Sequence, residues 1–166
     1  MLYYQKIVTK IWENKMIEYR WASHEDIDQR VLHRMNFIEI DKDDGRYALI
    51  HKNCDAYFRK AFETNTCDVI LAEEDKRVIG TGIVFYYNSV PSAFNPTGKN
   101  AYVTSVYVEQ KSRRQGIGMA IMKQLLDISE RKGYPIVMLN ASEMGKAMYQ
   151  KLGFAESENG MILKRN

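Results

Sequence analysis

The stretch VTSVYVEQKSRRQGIGMAIMKQLLDISERK, Val103 to Lys132, decides how the rest of the chain is read. Its β-branched and aromatic opening, ending at Val108, predicts a strand. A polar turn over Glu109 to Gln115 carries Arg113 and Arg114, and Gly116 and Gly118 follow. From there Ile117, Ile121, Leu125 and Ile128 fall on one helical face, with Lys123, Gln124, Asp127 and Arg131 turned away. The order is strand, basic glycine loop, helix. The first amides of a helix have no intrahelical partner and sit at the positive end of its dipole. Glycines let a phosphate approach those amides without meeting a Cβ, and the two arginines add charge. The stretch reads as a seat for a pyrophosphate.

Two common phosphate motifs are excluded. No GxxxxGK[S/T] sequence is present, and Ile121 stands where the dinucleotide fingerprint needs its third glycine. What remains, Arg113-Arg114-Gln115-Gly116-Ile117-Gly118, resembles the Gln/Arg-x-x-Gly-x-Gly/Ala signature of the GCN5-related N-acetyltransferases (GNAT). In that family the signature binds the pyrophosphate of acetyl-CoA, which assigns Arg113 to Met119 to the cosubstrate. The resemblance includes Val106 to Val108, whose counterparts pair their main chain with the pantetheine arm. It extends to Leu139-Asn140-Ala141-Ser142 and to Ala147 through Phe154, AMYQKLGF. It covers roughly the last hundred residues well and the first hundred in outline.

The resemblance implies an α/β fold: a mixed, mostly antiparallel twisted sheet flanked by helices, with a splayed parallel strand pair for the cofactor. It implies transfer of an acetyl group from acetyl-CoA to a primary amine, in a small molecule or a peptide, by direct attack in a ternary complex. Tyr149 is the candidate general acid for the departing thiolate. Asn140 and Ser142 are candidates to bond the pantetheine amides or to cap the following helix. The general base is not assigned: Glu109, Glu73, Tyr102 and a water relay all stay open. Cys54 and Cys67 lie outside both motifs and read as small apolar residues, not nucleophiles. Two rivals stay open, an idle acyl-CoA-binding sensor and a nucleotide-binding regulatory domain that uses the same loop.

Length and composition fit this reading. The 166 residues suit one domain, and 45% hydrophobic with 27% charged residues is ordinary for a globular protein. A net charge of +3 without a basic run argues against nucleic acid. No apolar run is long enough for a membrane span, and no signal peptide is evident, so a cytoplasmic location is expected. Two cysteines and three histidines have no metal-type spacing, so no metal is expected. A homodimer is left open.

The flanks give the remaining expectations. Met1 to Lys15 reads as an extension of uncertain role before one acetyltransferase domain over 16–166. Ile17 to Trp21 alternates like a strand. Ser23 and Asp26 make a capping box for a helix from Glu25 to about Ile40. Asp41 to Gly45 breaks it, and Asn53 is a candidate cap for a second helix carrying Phe58, Ala61 and Phe62 inward. Strands are expected over Asp68 to Ala72 and Arg77 to Tyr87, joined by a turn over Glu73 to Lys76. Gly80 and Gly82 suggest a bulge or close approach. Asn88 to Asn100 is a long loop expected at the acceptor mouth, where Phe94 and Tyr102 are placed as an apolar wall and Asp41, Asp43 and Asp44 as acidic neighbours. Ala101 to Val108 and Ile136 to Leu139 are the next strands. Asn140 is expected to cap a helix in which Gly145 has a close backbone neighbour. Met161 to Leu163 is expected as a last strand.

Overall fold

The computed structural model describes residues 16–157 and residue 163. The segment 1–15, and the strand expected over 161–163 apart from Leu163, lie outside the described residues. Among the described residues five strands form one sheet in the order of the chain. They are β1 (Ile17–Trp21), β2 (Cys67–Glu74), β3 (Arg77–Asn88), β4 (Lys99–Val108) and β5 (Ile136–Leu139). The first four pair antiparallel, and β4 and β5 pair parallel. Among the described residues four helices flank them: α1 (Ile27–Phe37), α2 (Tyr47–Glu63), α3 (Ile117–Arg131) and α4 (Glu143–Lys151). Among the described residues no helix is long and apolar enough to cross a membrane.

The sheet is buried on both faces because its central strands alternate between two cores. In β2, Val69 and Leu71 pack with Ile27, Val31 and Met35 of α1 and Phe58 and Ala61 of α2. The intervening Ile70 and Ala72 pack with Ile117, Ile121, Met122 and Leu125 of α3. The period of two thus assigns one face to α1 and α2 and the other to α3, with Met148 and Tyr149 of α4 and Leu152 just after it packed against the second core. The predicted stripe of α3 is the buried one.

Local chemistry sets most boundaries. Ser23 and Asp26 close the expected capping box, over a short 3₁₀ turn that leads into α1. The hairpin turn is tighter than expected. Glu73 and Glu74 belong to β2, and only Asp75 and Lys76 turn, both at positive φ (51° and 63°), as a two-residue hairpin requires. Gly133 and Gly153 follow their helices at φ 75° and 91°.

Three expectations are corrected. The second helix starts at Tyr47, not at Asn53, which lies exposed inside it. Tyr47, Ile50 and Cys54 continue the apolar stripe of Phe58 and Ala61 backward at helical spacing. Asp44 serves the preceding turn, where its carboxylate accepts from the Arg46 amide at 2.8 Å. The cap of α4 is Ser142, whose hydroxyl accepts from the Gly145 amide at 3.3 Å; Asn140 lies exposed before it. The close neighbour of Gly145 is a side chain: a Cβ there would stand 2.9 Å from the Tyr149 ring. At Gly82 the close approach is real, since a Cβ would meet Ile121 at 2.5 Å and Leu125 at 2.9 Å.

Candidate functional site

The glycine loop follows the end of β4. The Glu109 amide donates to the Ile79 carbonyl at 2.9 Å and closes the ladder. A 3₁₀ turn over Gln110–Ser112 reverses the chain, and Arg113 Nε donates back to the Val108 carbonyl at 2.9 Å. Arg114 and Gly116 then take positive φ, 64° and 83°, before α3 begins. The first bond closing α3 runs from the Ala120 amide to the Gly116 carbonyl at 3.0 Å. The amides of Ile117, Gly118 and Met119 therefore have no intrahelical partner. A Cβ on Gly116 would meet nothing within 4 Å, and one on Gly118 would come no nearer than 3.4 Å, to Met148 Sδ, with Val108 Cγ2 at 3.9 Å. Arg113, Arg114 and Gln115 are exposed around this opening, and Arg114 has no ion pair among the described residues. Unspent amides, exposed cations and space suit a polyanion.

The same end of β4 loses its partner. Pairing with β5 runs from Asn100–Ile136 to Val103–Leu139 and stops. The residues from Thr104 to Val108 have no β5 neighbour, so the edge carrying Val106 and Val108 has no strand partner among the described residues, and the Val108 carbonyl is met there by Arg113 Nε. On the β3 side Thr104 pairs with Ile83 and Tyr107 with Thr81, so Ser105 and Val106 stand against Gly82 alone. This is a bulge, and Ser105 takes φ 52° within it.

Tyr149 sits half-buried on α4, edge-on to Phe154 at 6.0 Å between ring centroids. Burial raises the pKa of its phenol. Both glutamates left open as the base are engaged: Glu109 accepts twice from Arg77, at 2.8 and 2.6 Å, and Glu73 accepts from Arg20 at 2.9 Å. Tyr102 stacks on Phe85 at 5.2 Å and is also raised by burial. Cys67 is buried, with its thiol pushed up to about 12 chiefly by burial, and burial raises Cys54 as well.

The long loop occupies the other end of β4. It is held closed by Asn95, whose amide donates to the Lys99 carbonyl and to Asn100 Oδ1, both at 3.1 Å. Phe94 is 82% exposed and makes no ring contact among the described residues, so it forms no wall with Tyr102. Asp44 is tied to Arg46 at 2.6 Å, which holds its carboxyl down to about 2.

Sequence reading passed over three residues of α1: Arg30, His33 and Arg34. Arg30 is 2% exposed and donates to Thr81 Oγ1 on β3 and toward His33 Nδ1; its Nε has no partner among the described residues. Burial holds Arg30 down to about 10, and burial and then Arg30 hold His33 down to about 4. Arg34 donates to Ser105 Oγ at 2.7 Å, at the bulge, and lies over the Phe37 ring at 5.4 Å. The signal was in the spacing: Arg30 and Arg34 lie one residue before Val31 and Met35, within the inward stripe that begins at Ile27.

The chain matches the Acetyltransferase (GNAT) family over residues 15–154. It is 30% identical over 93 residues to a probable glucosamine 6-phosphate N-acetyltransferase of Oryza sativa, covering 53% of this chain and 54% of that protein. The chain thus spans about half the length of that curated relative. Among solved structures, a predicted acetyltransferase with acetyl-CoA from Clostridium acetobutylicum superposes with a TM-score of 0.82 at 26% identity, over 90% of this chain and 96% of that one. A GCN5-related N-acetyltransferase from Ralstonia eutropha shares the fold with a TM-score of 0.79 at 20% identity, over 90% and 99%. With a glycine loop beside a strand that has parted from its parallel neighbour, and a family match over most of its length, the chain belongs to the GNAT acetyltransferase family.

Proposed function

We propose that this chain is an acetyl-CoA-dependent N-acetyltransferase acting on a primary amine. One observation carries the reading: the glycine loop opens at the same end of β4 where β4 and β5 part. An extended cosubstrate with an anionic head and an amide-bearing arm suits both features at once. Arg113, Arg114 and Gln115, with the amides of Gly116, Ile117, Gly118 and Met119, hold the pyrophosphate. The main chain of Val106 and Val108 pairs with the pantetheine amides. Asn140, free of capping duty, is available to the same arm, while Ser142 fixes the start of α4.

Acetyl-CoA supplies an activated thioester, which an amine can attack directly once it is held in place. Tyr149, kept protonated by burial, donates a hydrogen bond to the departing sulfur. Neither glutamate is free to take the proton from the amine, since each is held by an arginine. Tyr102, raised by burial, stays a neutral phenol near pH 7, which leaves a water relay to take the proton from the amine. The rice relative is named for glucosamine 6-phosphate, a small amine, and acceptors of that size are the first to test. The reading is tested by titrating acetyl-CoA calorimetrically and then following CoA release with a panel of amines. Binding with amine-dependent release is expected. Binding without release from any amine would leave the idle sensor, and binding of ATP in preference to acetyl-CoA would leave the regulatory domain.

A further inference from the structure

This inference rests on the acetyl-transfer reading and concerns the other substrate. Ser105 and Tyr107 lie on the part of β4 that has no β5 neighbour, and they face α1. That is the sheet face opposite α3 and its glycine loop. Arg34, bonded to Ser105 Oγ, stands on this side of the unpaired stretch.

Arg34 is half-buried, and its one side-chain hydrogen bond among the described residues, to Ser105 Oγ, uses one of five guanidinium donors. Phe37 lies under its cation and stands edge-on to Tyr107 at 6.5 Å, which fixes its direction. Among the described residues no carboxylate pairs with it, whereas Arg20, Arg46, Arg59, Arg77 and Arg131 each have one. Arg30 stands one turn earlier on the same helix face, and the carboxylates whose charge acts on it, Asp26 and Glu73, are both hydrogen-bonded to Arg20. His33 between them is neutral near pH 7 and adds no negative charge. A partly desolvated guanidinium without a counter-charge is stabilised by an anion, and its planar fork matches carboxylate and phosphate oxygens.

We propose that Arg34 is a specificity residue that binds an anionic group, a carboxylate or a phosphate, carried by the amine acceptor. The anion is part of the acceptor, so recognition favours amines that bear one within reach of the reacting nitrogen.

The test uses matched amines with acetyl-CoA: glucosamine 6-phosphate against glucosamine, and lysine against cadaverine. The first pair reads out a phosphate and the second a carboxylate. In at least one pair the anionic member should have a kcat/KM about 10- to 100-fold higher, expressed mainly in KM. Arg34→Gln should collapse that ratio toward one with acetyl-CoA affinity retained, and Arg34→Lys should restore part of it. Ser105→Ala, which removes the hydroxyl and keeps the cation, should retain the preference. No preference in either pair, or a preference that survives in a folded Arg34→Gln protein, overturns the proposal. Failure to bind acetyl-CoA together with no CoA release from any amine removes the reading beneath it. Release without a charge preference removes this inference alone.

Discussion

The sulfur of Met148 on α4 stands 3.4 Å from the position that a Cβ on Gly118 would occupy at the start of α3. That distance is ordinary contact, so a Cβ fits at 118. Gly116 differs, because its φ of 83° strains any other residue. Gly118 is therefore the position at which crowding of a ligand separates from damage to the fold. Gly118→Asp should fold, with a melting temperature near that of the parent. It should bind acetyl-CoA at least about tenfold more weakly, because a carboxylate then stands where a phosphate belongs. Unchanged affinity in a folded variant would remove the phosphate seat from this loop.

Neither thiol is poised to carry the acetyl group. Cys67 is pushed up to about 12 and Cys54 is raised, so both stay protonated near neutral pH. The double variant Cys54→Ala/Cys67→Ala should keep its turnover, with a stability loss of about 1–2 kcal/mol from truncation of the buried Cys67. Intersecting initial-rate lines are expected. A ping-pong pattern, or an acetylated protein seen by mass spectrometry, would contradict the ternary complex.

Tyr149→Phe should lower kcat with little change in acetyl-CoA affinity, the pattern of a group that acts mainly in the transition state. Burial raises the phenol pKa, so the wild-type rate should show no alkaline loss attributable to Tyr149 at or below pH 9. Equal kcat in the two proteins would return Tyr149 to a packing role beside Phe154.

Acid should weaken the fold in two steps with separate causes. His33 is held down to about 4 from 6.5, so the unfolded chain binds the proton more readily, and stability falls as pH drops from 6.5 toward 4. Asp26, held down to about 2 chiefly by Arg20, stabilises fully above 3.8, and that contribution is lost as pH falls toward 2. The second step should amount to about 1–2 kcal/mol, since Arg20 is partly solvated. Denaturant melts at stepped pH check this: His33→Gln should flatten the upper step, and Asp26→Asn the lower. Identical profiles in parent and variants would show that other groups govern acid unfolding.

The architecture was legible where a single period runs unbroken. Ile117 to Ile128, the alternation in β1 and the box of Ser23 and Asp26 all folded as their spacing demands. Gly82 also spoke truly, since a strand glycine marks a close approach and Ile121 makes one. The failures share a cause. Asn53, Asn140 and Gly145 were read by residue type, and each time a neighbour decided: the stripe through Tyr47 and Ile50, the hydroxyl of Ser142, and the ring of Tyr149. Arg30 and Arg34 were missed because a charged residue in an inward stripe is taken for the solvent face. Their spacing beside Val31 and Met35 points inward, and the tertiary partners, Thr81 on β3 and Ser105 at the bulge, show what they meet there.

The central claim is that an amine nitrogen receives the acetyl group of acetyl-CoA on this chain. The most direct measurement is mass spectrometry of an amine panel incubated with the protein and carbon-13-labelled acetyl-CoA. The account predicts an acceptor that gains the labelled acetyl group on nitrogen, with equimolar free CoA, and loss of both products in Gly118→Asp. CoA release without a labelled amine, or a labelled amine formed equally well by Gly118→Asp, would contradict it.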